Sequence, residues 1–157
     1  MDGFQAWAIS HWITLCAAAL LATNVFVARA SQKRFVIYGA VALVCFWMMT
    51  IAIVLLMRDK DSAGWRLIID LAATLLFYRL AERDVRTGER HDWAALICFC
   101  YVWLILVDLR MLAFGNPQGN FFIAMSNVIF VVKILVNMVP AISILTGSKP
   151  ILIASPK

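Results

Sequence analysis

Three ionisable side chains lie inside apolar stretches of this sequence: Asp70 in LIIDLAATLL, Asp108 in LVDLRML and Lys133 in VVKILVNMVP. A charged group near the centre of a lipid bilayer costs about 2.5–3.5 kcal/mol on insertion scales, so each requires a physical reason. Two carboxylates and an ammonium group can relay a proton or bind an ion, and they can equally neutralise one another to fix helix packing.

Helix geometry predicts that the two carboxylates lie at a similar depth. With a rise of about 1.5 Å per residue, Asp70 lies about 8 Å from Trp65 and Asp108 about 9 Å from Phe114, which we place at the same membrane face. Lys133 lies about 18 Å from the start of its own span, and its four-carbon stem can reach toward the carboxylates.

We therefore predict a polar cluster in the outer half of the membrane that joins three helices. Its members are Arg66, Asp70, Asp108, Asn127, Lys133 and Asn137, with Thr74 and Ser126 on the same helix faces. The functional interpretation is a path for an ion or a proton. The structural interpretation is simpler, because an Arg66–Asp70 pair at i, i+4 would by itself neutralise one carboxylate.

No other group of side chains has the spacing of a catalytic or metal site. His11 and His91 are predicted on opposite sides of the membrane, so they cannot be paired axial ligands of a membrane haem. Glu89, His91 and Asp92 could bind a divalent cation, but their spacing favours a solvated charged loop. We predict no cofactor, no metal and no enzymatic activity, and we expect the four cysteines to pack as small apolar side chains.

Composition identifies an all-α integral membrane protein. The chain has 157 residues, of which 64% are hydrophobic and 15% charged, whereas soluble domains have about 25% charged residues. Its net charge is +5, but the basic residues lie in short segments between apolar runs, as membrane topology requires. We therefore expect a lipid bilayer as partner and no nucleic acid.

The apolar runs predict one domain, residues 1–157, with five transmembrane helices and short loops. The predicted spans are 4–28, 35–57, 65–80, 93–114 and 121–145. The first has no basic leader before it and is expected to remain as a span. The third is short, so a four-span protein is the alternative. Five spans place nine basic residues on one side and four on the other, which predicts the N-terminus outside and the C-terminus in the cytoplasm.

The segment RLAERDVRTGER is predicted to continue the third span as a solvated helix until Gly88 and to dock a partner. Its candidate contacts are Arg79, Glu82, Arg83, Arg86 and Arg90.

The function that we predict is that of a small non-enzymatic subunit or docking component of an assembly in the bacterial inner membrane, formed as a homo-oligomer or with other membrane subunits. The alternative is a small channel, transporter or holin-like pore former that uses the Asp/Lys cluster.

Overall fold

Five α-helices make up almost all of the structure, a computed structural model that describes residues 2–57, 62–82, 90–114, 119–148 and 153–154. The helices are α1 (Asp2–Ala30), α2 (Arg34–Met57), α3 (Ser62–Ala81), α4 (Asp92–Phe114) and α5 (Gly119–Leu145). Two short strands, β1 (Arg90–His91) and β2 (Ile153–Ala154), form an antiparallel pair. The prediction of an all-helical fold is confirmed, and each helix begins and ends within three residues of a predicted span.

Three of the helices are long and apolar enough to cross a membrane. Within the described residues they are Arg34–Met57, Asp92–Phe114 and Met125–Leu145, and Thr14–Ala30 of α1 is a shorter apolar helix. Large apolar side chains point away from the bundle on every side, with Leu56 81% exposed and Phe114 79% exposed. Such a surface is unfavourable in water and suits a lipid environment.

Consecutive helices run in opposite directions, and contacts at one end of the bundle establish this order. Phe35 at the start of α2 packs on His91 just before α4, with ring centroids 4.5 Å apart. The same segment pairs with the C-terminal tail, Arg90 opposite Ala154 and His91 opposite Ile153. We name this end of the bundle the basic end. In the described part of the chain it carries Arg29, Lys33, Arg34, Arg79 and Arg90.

One prediction for the basic end needs correction. The α3 helix was expected to continue to Gly88, but it ends at Ala81 and residue 82 is a bend. Residues 83–89 lie outside the described part of the chain.

An apolar core fills the half of the bundle nearer the basic end. Its largest fully buried side chains are Trp93, Phe77, Leu43, Ile97 and Ile134. The Phe77 ring packs edge-on against Trp93 and lies parallel to Tyr101, at centroid distances of 6.4 and 5.7 Å. Helix α3 packs most extensively on α4, while α1 and α4 both pack on α5. The opposite half of the bundle holds the candidate site.

Candidate functional site: a charged cavity between the helices

A cavity of about 610 Å³ lies in the half of the bundle away from the basic end, and all five helices line it. We name it the charged cavity because four ionisable side chains face it: Arg66, Asp70, Asp108 and Lys133. The predicted residue Asn127 also lines it, together with Thr14, Thr50, Tyr101 and Ser126. Side chains that the sequence spreads over three helices therefore share one space.

An ion pair joins α3 to α4 across this cavity. Arg66 Nη2 lies 3.4 Å from Asp108 Oδ1, and Asp108 is only 6% exposed. The same Arg66 nitrogen also approaches Met111 Sδ at 3.8 Å. The expected Arg66–Asp70 pair within one helix is therefore replaced by a pair between helices. A carboxylate as buried as Asp108 needs a cation, and the close packing of α3 on α4 brings Arg66 within reach.

Lys133 forms a second contact between helices at the inner end of the cavity. Its side chain is 5% exposed, and the ammonium nitrogen lies 3.7 Å from the centroid of the Tyr101 ring. A cation over an aromatic face gains electrostatic stabilisation, and the gain is larger away from water. Among the described residues, no carboxylate lies within ion-pair distance of Lys133.

Asp70 lines the same cavity and is partly buried. Its carboxyl group is within hydrogen-bond reach of the Asp108 carboxyl group and in electrostatic range of Lys133 and Arg66. Thr74, one turn further along α3, donates its hydroxyl to the backbone carbonyl of Asp70 at 2.7 Å, so that hydroxyl does not neutralise the carboxylate. Like Lys133, Asp70 has no ion-pair partner at close range in the described part of the chain.

Asn137, predicted to belong to the cluster, forms a separate polar contact closer to the basic end. It is fully buried and donates from Nδ2 to Asn24 Oδ1 at 2.8 Å, which joins α5 to α1. Sequence reasoning missed Asn24 and the role of Tyr101. A single amide in the apolar run LLATNVFV was a signal for Asn24, and Tyr101 precedes Asp108 by two helical turns on one face of α4.

The charged cavity ends inside the bundle. Leu43 and Tyr101 line it and also belong to the apolar core. Beyond them toward the basic end lie the packed side chains of Phe77, Trp93 and Ile134. In a single copy of the chain, a polar ligand can therefore enter the cavity as far as Lys133. The apolar core separates Lys133 from the basic end.

The predicted docking residues at the basic end form exposed ion pairs. Arg79 Nη1 lies 3.2 Å from Glu82 Oε2, and Arg90 Nε lies 2.9 Å from Asp92 Oδ1. Arg83 and Arg86 lie outside the described residues.

His91 departs from the prediction of a solvated loop, because it is only 2% exposed and packs between Phe35 and Trp93. Glu89, which we considered with it as a metal ligand, lies outside the described part of the chain. Within that part, no group of three His, Cys, Asp or Glu side chains is placed to hold a metal ion.

Comparison of the chain with protein-family models, with curated proteins and with solved structures found no match.

Proposed function

We propose that this chain is a five-span protein of the bacterial inner membrane, with its N-terminus outside and its C-terminus in the cytoplasm. The order of the helices supports this topology, since Arg29, Lys33, Arg34, Arg79 and Arg90 of the described residues lie at one end of the bundle, and basic residues favour the cytoplasmic side. Helix α3 has 20 residues, or about 30 Å, and its Arg66 is paired with α4 rather than exposed to lipid.

Cysteine accessibility in intact cells tests this topology. In a variant without the four native cysteines, Lys60→Cys and Gln118→Cys are expected to react with a membrane-impermeant maleimide added outside. Glu82→Cys and Ser148→Cys are expected to react only after the membrane is permeabilised. If Lys60→Cys and Glu82→Cys react from the same side, α3 does not cross and the four-span topology replaces this one.

We further propose that the protein is a non-enzymatic subunit or docking component of a membrane assembly, formed with copies of itself or with other membrane subunits. The observation that carries this proposal is that three pairs of interior side chains contact each other between helices. Arg66 binds Asp108, Lys133 packs on Tyr101, and Asn137 binds Asn24. These contacts use the buried polar groups to hold α1, α3, α4 and α5 together, as a packed scaffold requires.

The basic end is the surface that we assign to docking. Arg79, Glu82 and Arg90 are exposed there, and the sequence adds Arg83 and Arg86 in the same segment. A surface with this excess of positive charge fits an acidic partner surface or anionic lipid. The pairing of β1 with β2 fixes the end of this segment against the tail.

A second candidate function is permeation, and the charged cavity is the observation that favours it. Four ionisable side chains and the polar Ser126 and Asn127 line a cavity within the bundle, as in a binding site for a permeating ion. The apolar core closes that route in one copy, so this candidate requires a rearrangement or a path between copies.

One experiment separates the two candidates. The protein is produced in bacterial cells at matched membrane levels as wild type, Asp70→Asn and Lys133→Met, and membrane potential is followed with a dye while the solubilised particle is sized. For a docking component we expect an unchanged potential and a particle larger than one chain, which becomes smaller when Arg79, Glu82 and Arg90 are neutralised together. Depolarisation by wild type that either cavity substitution abolishes would establish permeation instead.

A further inference from the structure

We propose that the charged cavity binds a zwitterionic amphiphile, whose phosphate or carboxylate group contacts Lys133 and whose ammonium group contacts Asp70. This inference goes beyond the proposed assembly role and does not depend on it. The ligand chemistry is an anion and an ammonium group a few bonds apart, joined to an apolar portion.

The charges of the cavity favour a neutral ligand with two poles. Arg66 and Asp108 bind each other at 3.4 Å and neutralise one another. Lys133 and Asp70 face the same cavity with opposite charge, and neither has an ion-pair partner at close range among the described residues. A charge away from water is stable only with a counter-charge and hydrogen bonds, so a single ligand with both charges satisfies both side chains without adding net charge.

The position of Lys133 suits it for binding the anionic end. Its stem is buried and its ammonium group rests on the Tyr101 ring, which contributes attraction but accepts no conventional hydrogen bond. The three N–H donors of that ammonium group thus need acceptors, and phosphate or carboxylate oxygens supply them. Asp70 lines the same cavity and lies in electrostatic range of Lys133 without forming an ion pair with it, so one dipolar group can contact both side chains.

The walls of the cavity fit the apolar portion of such a ligand. Most of the remaining lining is apolar and aromatic: Phe46, Trp47, Ile51, Val54, Leu55, Leu104 and Phe130. Leu55 lines the cavity and is also 72% exposed, so the wall formed by α2 continues onto the outer surface of the bundle. Small-molecule sites have volumes of about 300–1,000 Å³ and the same mixture of apolar walls with few polar groups, and the charged cavity falls within this class.

Native mass spectrometry of the full-length protein in detergent tests the proposal. The probes are phosphatidylethanolamine, which is zwitterionic, and phosphatidylglycerol, which is anionic. We expect wild type to retain phosphatidylethanolamine in preference, and Lys133→Met and Asp70→Asn each to weaken this retention by about tenfold or more, because each removes one desolvated charged contact. Arg79→Met, which removes an exposed cation at the basic end, is the matched control and is expected to retain the lipid as wild type does.

A competition experiment identifies the source of the ligand. If soluble phosphoethanolamine displaces the lipid, the charged headgroup is sufficient for binding; if it does not, the apolar wall is required and the ligand is a membrane lipid. Equal retention of both lipids by wild type, or wild-type retention by Lys133→Met, would overturn the proposal.

Should the charge variants fail to fold, Ser126→Phe tests the same proposal by filling the cavity and leaving all four charges in place. We expect it to lose the lipid, and unchanged binding in a folded Ser126→Phe variant would overturn the proposal as well.

Discussion

Replacement of Arg66 by Met is expected to lower the free energy of unfolding by about 3 kcal/mol or more, because it leaves a buried carboxylate without its cation. Asp108 is 6% exposed, and Arg66 Nη2 is its cation at 3.4 Å. Met keeps much of the length and apolar stem of Arg, so the loss reports the missing charge more than missing volume. The measurement is reversible unfolding of the solubilised protein by denaturing detergent.

Two controls separate this ion pair from a general effect of charge. Arg79→Met removes the cation of the exposed Arg79–Glu82 pair, and we expect a loss below about 1 kcal/mol because surface pairs contribute little. The double variant Arg66→Met, Asp108→Leu removes both charges of the buried pair and is expected to recover much of the lost stability. A loss in Arg66→Met no larger than in Arg79→Met would contradict a stabilising role for the buried pair.

The buried charges show how far the sequence predicts the site. Asp70, Asp108 and Lys133 could be identified because an ionisable residue inside an apolar run is costly whatever surrounds it. Their depths follow from the rise of a helix, and the structure places all three on one cavity. Their roles as binding or permeation groups stay predictions.

The partners of these charges could not be read from the sequence in the same way. Spacing along one helix suggested Asp70 for Arg66, whereas the observed partner is Asp108, 42 positions away on α4. Which of two carboxylates a guanidinium contacts depends on how α3 is rotated against α4, and no local pattern encodes that rotation. Asn24 and Asn137 are 113 positions apart, and their contact has the same origin.

The basic end shows a second limit of sequence reasoning. Its basic residues were assigned to segments between helices, whereas Arg29, Arg34 and Arg79 lie in the terminal turns of α1, α2 and α3. His91 was expected to be solvated along with them. The structure buries His91 against Phe35 and Trp93 and pairs its backbone with the tail. Two-residue strands carry no periodic signal. Trp93 is a near neighbour of His91 in sequence, but Phe35 lies at the start of α2, far away along the chain.

Replacement of Gly39 by Ala is expected to destabilise the protein by about 2–3 kcal/mol, because this glycine lets α2 pack directly against the side chains of Trp93 and Asn137. An added Cβ would lie 2.5 Å from Asn137 Oδ1 and 2.7 Å from two atoms of the Trp93 ring. Neither neighbour can move freely. Asn137 is fully buried and bound to Asn24, and Trp93 is fully buried against Phe77.

Gly64→Ala is the matched control for this substitution, because its Cβ would meet no atom within 4 Å. Alanine favours a helix over glycine by up to about 1 kcal/mol, so Gly64→Ala should be neutral or stabilising in the same unfolding experiment. At Gly39 the same helix preference also favours alanine. A loss of stability in Gly39→Ala therefore means that the steric clash is larger than this preference.

The double variant Gly39→Ala, Trp93→Phe frees space beside the new methyl group and should be less destabilised than the two single changes added together. Equal stabilities for Gly39→Ala and Gly64→Ala would mean that α2 lies further from Asn137 and Trp93 than the structure places it. In that case the contact between Asn24 and Asn137 would hold α1 to α5 without support from α2.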